Sequence, residues 1–283
     1  MLTGGGARAA YQVGVLKAVR DILGGPVKNP FPILCGTSAG AINAAALAVF
    51  AEDFTRAVGN LLEVWEHMRC DLIYRTDFAS IAGRGARWLA ALSWLGKNPI
   101  SLLDNTPLRG TLEKFLPFER IQQNLDGGAL YAVSVTASGY TSGQSVSFFQ
   151  GAPGLEGWER QQRIGAAVPL KIEYLLASSA LPFIFPAVKV HREYFGDGSM
   201  RQIAPVSPAL HLGADRVLVV GTGRQSADAA RARSNIYPSL AQVAGHALNS
   251  IFLDSLMVDI ERLERINRTL GAIPQELITQ RKI

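Results

Sequence analysis

The chain has 283 residues, enough to bury a sizeable core in one large α/β domain, and its 48% hydrophobic and 18% charged content excludes extensive disorder. The net charge of +5 is spread along the chain, which argues against a nucleic-acid partner and allows weak attraction to anionic lipid. Cys35 and Cys70 are the only cysteines, so no disulfide framework is indicated and a reducing, cytoplasmic setting is the expectation.

The opening MLTGGGARAAY lacks the apolar run of a secretory signal. Ala39 to Ala51, the longest small-apolar stretch, falls short of the about 20 residues that span a bilayer. A soluble protein, at most peripheral at a membrane, is expected.

In chain order, Ala7 to Leu23 reads as a helix, with Tyr11, Val15 and Val19 near helical spacing and Gly24-Gly25-Pro26 ending it. Phe31 to Cys35 is a short apolar run that suits a buried strand. Ala39 to Phe50 is alanine-rich and helix-forming, and Glu63 to Arg69 continues the helical pattern. Leu130 to Thr136 and Ser145 to Phe149 alternate like a strand pair. Ile172 to Leu181 reads as helix, Val188 to Phe195 as strand, Arg216 to Val220 as a buried strand, and Phe252 to Leu270 as a long amphipathic helix. Strands alternating with helices imply an α/β fold whose sheet is mainly parallel and covered on both faces.

Three motifs carry chemistry. Gly36-Thr37-Ser38-Ala39-Gly40 is a G-x-S-x-G pentapeptide between an expected strand and an expected helix, the setting of a nucleophile elbow. The turn holds Ser38 at a helix N-terminus, where backbone N–H groups favour developing negative charge. Gly4-Gly5-Gly6-Ala7-Arg8 also opens a helix; beside a serine nucleophile such a loop serves as an oxyanion hole, with Arg8 bracing it or binding phosphate. Read alone, the same loop fits a phosphate or dinucleotide site, but no G-K-[ST] follows it. Phe195-Gly196-Asp197-Gly198-Ser199 is by itself an ordinary turn; with the other two motifs it makes Asp197 the candidate general base.

In this order the three motifs resemble those of the patatin-like phospholipase family, with AYQVGVL and ASSALPFIFPAV as further matching strings; the resemblance runs from Thr3 to about Gly223. It implies a three-layer α/β/α sandwich and a single domain over 1–283, with 224–283 as a helical extension packed on it. It also implies a serine lipid acyl hydrolase using a Ser38–Asp197 dyad and the Gly4, Gly5 and Gly6 oxyanion loop, acting on lipid acyl esters without metal or cofactor. Ala9 and Ser199 stand where the family usually has glycine, and glycine or alanine. Only Met1, Leu2 and Thr3 precede the loop, where the family has a full strand, so an upstream Val/Leu/Ile-rich segment is expected.

Two other readings stay open. Ser38, Asp197 and then His211 or His246 follow the chain order of an α/β-hydrolase triad, although Ser38 comes early for that fold. The same loops also fit a non-catalytic lipid- or phosphate-binding module. His67, His191, His211 and His246 show no metal-ligand spacing, and Cys35 reads as packing. Arg84 to Lys97 concentrates Trp88 and Trp94 with leucines and flanking cations, and is expected either to cap the site and touch lipid or to pack as an amphipathic helix.

Overall fold

The computed structural model describes residues 1–25, 27–77, 82–83, 85, 101–222 and 239–272, with side-chain detail omitted for 240–255. After a 3₁₀ turn at Gly6–Ala9 come α1 (Ala10–Leu23), β1 (Ile33–Thr37), α2 (Ala39–Val49), α3 (Phe54–Glu66) and α4 (Cys70–Ile73). Then follow α5 (Thr106–Phe115), α6 (Glu119–Asp126), β2 (Ala132–Gly139), β3 (Ser145–Gly151), β4 (Trp158–Arg160) and β5 (Arg163–Ala167). The remaining elements are α7 (Ile172–Ser178), β6 (Val188–Val190), β7 (Glu193–Asp197), a 3₁₀ turn at Gly198–Arg201, α8 (Ser207–His211) and α9 (Leu240–Gly271).

The sheet is mixed, which corrects the expectation of a mainly parallel one. β1 pairs parallel with β2, and β5 with β3, whereas β2–β3, β2–β7, β4–β5 and β6–β7 are antiparallel. The antiparallel pairs include strands consecutive in sequence, which need only a short turn; a parallel pair needs a crossover of a dozen or more residues. The Val188 to Phe195 segment is one such hairpin, turning at His191 with φ 52°.

Side chains alternate across the sheet as the pleat requires. Leu34, Val133, Val135 and Phe148 point into the larger core, shared with α1, α2, α3, α5, α6 and α7. Cys35, Ala132 and Phe149 point to the opposite face, where Ala209 and Leu212 of the α8 region cover them. At the sheet edge, Trp158 stacks on Phe149 with ring centroids 5.1 Å apart. The α9 helix is tied to the body by Asp259, which accepts the Val206 N–H at 3.1 Å.

A buried polar chain fixes the helices to the start of the glycine loop. Trp65 of α3 donates to Asn43 of α2 at 2.8 Å, and Asn43 donates to Gln12 of α1 at 3.0 Å. The Gln12 amide then donates to the carbonyls of Thr3 at 2.8 Å and Val220 at 3.1 Å. Each buried amide is satisfied, so the network holds α1, α2 and Thr3 in one register.

Several expected boundaries move, among them that of the C-terminal helix, which begins at Leu240 rather than Phe252. The helix expected from Glu63 begins at Phe54, because Asp53 caps it by accepting the Arg56 N–H at 2.9 Å. Arg216 to Val220, expected as a buried strand, pairs only through a bridge between Val220 and Leu2. Leu2 also bridges Gly36, so it lies between β1 and Val220. A cavity of about 400 Å³ beside it is lined by Ile33 and Leu34 and by Arg216, Val217 and Leu218. The Met1 ammonium sits at this cavity, donating to the Leu218 carbonyl at 2.7 Å, and burial pushes its pKa down.

Candidate active site

β1 ends at Thr37 and the chain turns sharply at Ser38 into α2. Ser38 adopts φ 53° and ψ −129°, a conformation that costs an L-residue about 1–3 kcal/mol and marks a nucleophile elbow. The turn is held from below: Ser38 donates its N–H to Ser178 Oγ at 2.8 Å, and Ser178 donates its hydroxyl to the Thr136 carbonyl at 2.6 Å. Ser178 is fully buried on α7. Thr37 is pinned by the Gln202 amide, which donates to its hydroxyl at 2.8 Å.

β7 brings Asp197 to the same place from the other direction. In the β1–β2 ladder Thr37 pairs with Thr136, and in the β7–β2 ladder Asp197 pairs with Ala137, the next residue along β2. Asp197 is 0% exposed. Its Oδ1 accepts the Ser199 N–H at 2.9 Å, while Oδ2 is buried without a hydrogen-bond partner. Burial raises its pKa to about 6, opposed in part by the hydroxyl of Ser38 and by the N–H and hydroxyl of Ser199. The Ser38 hydroxyl thus lies close enough to the carboxylate to favour its charged form. A carboxylate near pKa 6 is a usable base at neutral pH, which one near the ordinary value is not.

The glycine loop lies directly against the serine. A Cβ placed on Gly4 would come within 3.2 Å of Ser38 Cβ and 2.5 Å of Ser199 Oγ, so only a glycine backbone reaches this close. Thr222 anchors the loop by donating its hydroxyl to the Gly4 carbonyl at 2.7 Å. Gly5 follows, and Gly6 lines, together with Ser38, a largely apolar cavity of about 600 Å³. Arg8 is exposed, and its Nε stands 3.5 Å from the Gly5 carbonyl, at the limit of a hydrogen bond.

None of the other singled-out residues that are described with side chains bonds to this cluster. His211 packs edge-on against Trp158 at 4.9 Å, and burial with Arg160 and Arg163 nearby holds its pKa down. The groups acting on Asp197 are Ser38 and Ser199, and no described histidine is among them. His246 falls where side chains are outside the described detail. His67 Nδ1 donates to the Glu63 carbonyl at 2.8 Å, and His191 Nε2 sits 3.5 Å from the Tyr174 hydroxyl. Cys35 is buried with its thiol pKa pushed up to about 11, an inert packing residue. Among the described residues no cluster of three His, Cys, Asp or Glu side chains could hold a metal. Arg84 to Lys97, apart from Gly85, lies outside the described residues.

Motif reasoning singled out Ser38, Asp197 and the glycines but missed Ser178, Gln202 and Thr222. Only Ser178 left a trace in sequence: a serine on the otherwise apolar helix of ASSALP must find a partner once buried.

A strained serine at a strand–helix turn, set beside a buried carboxylate and a glycine loop, defines the architecture of an elbow-type α/β protein. The chain belongs to the patatin-like phospholipase family, whose model matches residues 1–210. It is 28% identical over 220 residues to the cGAMP-activated phospholipase of Pseudomonas aeruginosa, covering 74% of this chain and 54% of that protein. It is 48% identical over 48 residues to the cUMP-AMP-activated phospholipase of Escherichia coli, covering 17% of this chain and 15% of that one. The chain therefore spans about half the length of the first relative and a small part of the second. Among solved structures, VipD of Legionella pneumophila matches at a TM-score of 0.40 and 13% identity, over 71% of this chain and 45% of that one.

Proposed function

We propose that this protein is a serine lipid acyl hydrolase in which Ser38 is the nucleophile and Asp197 the base. The observation that carries the reading is the unpartnered, buried Oδ2 of Asp197 beside the strained Ser38, at the wall of a large apolar cavity. Oδ2 accepts the Ser38 proton as Oγ attacks the ester carbonyl. The carbonyl oxygen becomes an oxyanion, which backbone N–H groups of the Gly4–Gly6 loop stabilise; such donors supply about 3–4 kcal/mol each where they have been removed. Asp197 returns the proton to the departing alcohol, leaving an acyl-serine. Water, deprotonated by the same carboxylate, then attacks the acyl carbon, releases the fatty acid and restores Ser38.

The apolar lining favours lipid acyl esters such as phospholipids and lysophospholipids over small polar esters. No helix among the described residues is long and apolar enough to cross a membrane. We place the enzyme in the cytoplasm, meeting its substrate peripherally at a lipid surface, with the cations and tryptophans of Arg84 to Lys97 as the contact. Arg8, exposed beside the loop, is positioned to meet a lipid phosphate.

The test is mass-spectrometric detection of fatty acid released from phosphatidylcholine and lysophosphatidylcholine vesicles by wild type and Ser38→Ala. Assays run with and without cGAMP and cUMP-AMP, because the two relatives are activated by those compounds. Release by wild type alone supports the reading; equal release by both proteins, or none under any condition, rejects it.

A further inference from the structure

The cavity at Ser38 has a direction. Ser38, Ile42, Ala46 and Phe50 are spaced four apart on α2, and all line it. Neighbours at that spacing are adjacent and together form one ridge inclined to the helix axis, so the cavity follows that ridge of α2 from its N-terminal to its C-terminal end. Leu112 of α5 contributes to its opposite wall. Phe50 lies twelve positions after Ser38, which is about 18 Å at the α-helical rise, the reach of an extended long-chain acyl group.

At the Phe50 end the lining changes character, with Arg56 and Arg120 joining it. The Phe50 ring is buried, with the Arg56 guanidinium carbon 5.3 Å and the Arg120 guanidinium carbon 5.4 Å from its centroid. Arg120 is itself fixed, pairing with Glu52 and donating to the Val49 carbonyl at 3.1 Å. Two cations on one ring hold it in place and put charge where hydrocarbon would next have to go.

We propose that this face of α2 is the acyl-length ruler of the enzyme: the acyl chain lies along it with its carbonyl at Ser38, Ala46 leaves the groove open midway, and Phe50 with its two arginines sets the far limit. The proposal rests on the acyl-hydrolase reading for the position of the carbonyl, and it names the substrate class as esters of long, straight, apolar acyl chains. Ala46 is the specificity-determining position, because any larger side chain there projects into the path.

The experiment measures kcat/KM for p-nitrophenyl acetate, butyrate, laurate and palmitate with wild type, Ala46→Leu and Ala46→Phe, each checked for cooperative thermal unfolding. Binding of palmitate and butyrate to Ser38→Ala, with and without Ala46→Phe, is measured by calorimetry and needs no turnover. The ratio of palmitate to butyrate kcat/KM is expected to fall about tenfold or more in Ala46→Phe and by less in Ala46→Leu, in line with the steric discrimination pockets achieve. Palmitate should bind Ser38→Ala and lose that binding when Ala46→Phe is added. An unchanged ratio, or palmitate binding indifferent to Ala46→Phe, overturns the ruler. Palmitate bound in the Ala46-dependent way by a protein that cleaves no ester would instead overturn the hydrolase reading and leave the groove standing.

Discussion

Ser38 and Asp197 sit at the ends of two strands that run head-on along the same edge of β2. β1 rises parallel to β2 and stops with Thr37 opposite Thr136; β7 descends antiparallel and stops with Asp197 opposite Ala137. Residues 159 positions apart in sequence are thereby fixed next to each other by consecutive residues of one buried strand. A crossing this tight needs Gly198: a Cβ there would lie 2.0 Å from the Thr136 carbonyl oxygen.

Gly198→Ala should therefore prevent the two strands from meeting. The expected outcome is a loss above about 3 kcal/mol, the range of severe backbone clashes, seen as a collapsed urea midpoint or failure to accumulate soluble protein. A variant with wild-type stability would show that the chain bends around the methyl and that the junction is looser than described.

Ser178→Ala tests the support beneath the elbow. It removes a donor to the Thr136 carbonyl and an acceptor for the Ser38 N–H, leaving buried groups unsatisfied at about 1–3 kcal/mol. Because the turn itself is disturbed, kcat for ester cleavage should drop by more than KM changes. Equal kinetics in a destabilised variant would make Ser178 a packing residue only.

Asp197 predicts an unusual stability profile. Its folded pKa of about 6 lies above the ordinary 3.8, so the folded state holds its proton more tightly than the unfolded state does. By linkage the native protein then loses stability as pH rises from about 4 through about 6, where the buried carboxylate must ionise. Asp197→Asn removes this titration and should be more stable than wild type at pH 7, by at most about 3 kcal/mol, with the difference shrinking as pH falls from about 6 to about 4 and lost below that. Activity moves the opposite way, rising through about pH 6 as the base forms. Parallel urea melts at several pH values check the sign; an Asp197→Asn variant less stable at neutral pH than at acid pH, relative to wild type, would refute it.

The cavity beside Met1 yields a further prediction. A Val/Leu/Ile-rich extension of a few residues joined to Met1 would turn the buried ammonium into an amide and lay apolar side chains between Ile33 and Val217. Filling that space should stabilise the protein by about 1–3 kcal/mol, read as a rise in Tm, whereas a Gly/Ser extension should not. Identical Tm values for the two extensions would show that the cavity does not accept a strand.

The reach of the sequence differed by element for physical reasons. The Ser38 turn and the Asp197 turn were readable because both need small residues in fixed order around one reactive side chain. The helices at α1 and α9 announced themselves by periodicity, and α2 by its alanine-rich composition. Strand direction was not readable, since alternation in LYAVSVT and SVSFF identifies a pair but not its sense, and the sheet is mixed where a parallel one was expected. β4 and β5 went unseen because WERQQRIGAA is polar and short, as suits a sheet edge, where Trp158 stacks on Phe149. The supports at Gln202 and Thr222 come from segments remote in sequence, and no local pattern marks a residue whose role is set by a neighbour more than 100 positions away.

The dyad is tested most directly by mapping the adduct of an alkyl fluorophosphonate by mass spectrometry in wild type, Asp197→Asn and His211→Ala. The account predicts one modified residue, Ser38, labelled at wild-type rate in His211→Ala and about a hundredfold or more slower in Asp197→Asn, the usual contribution of a positioned base. Labelling of a different serine, or undiminished labelling in Asp197→Asn together with loss in His211→Ala, would contradict it.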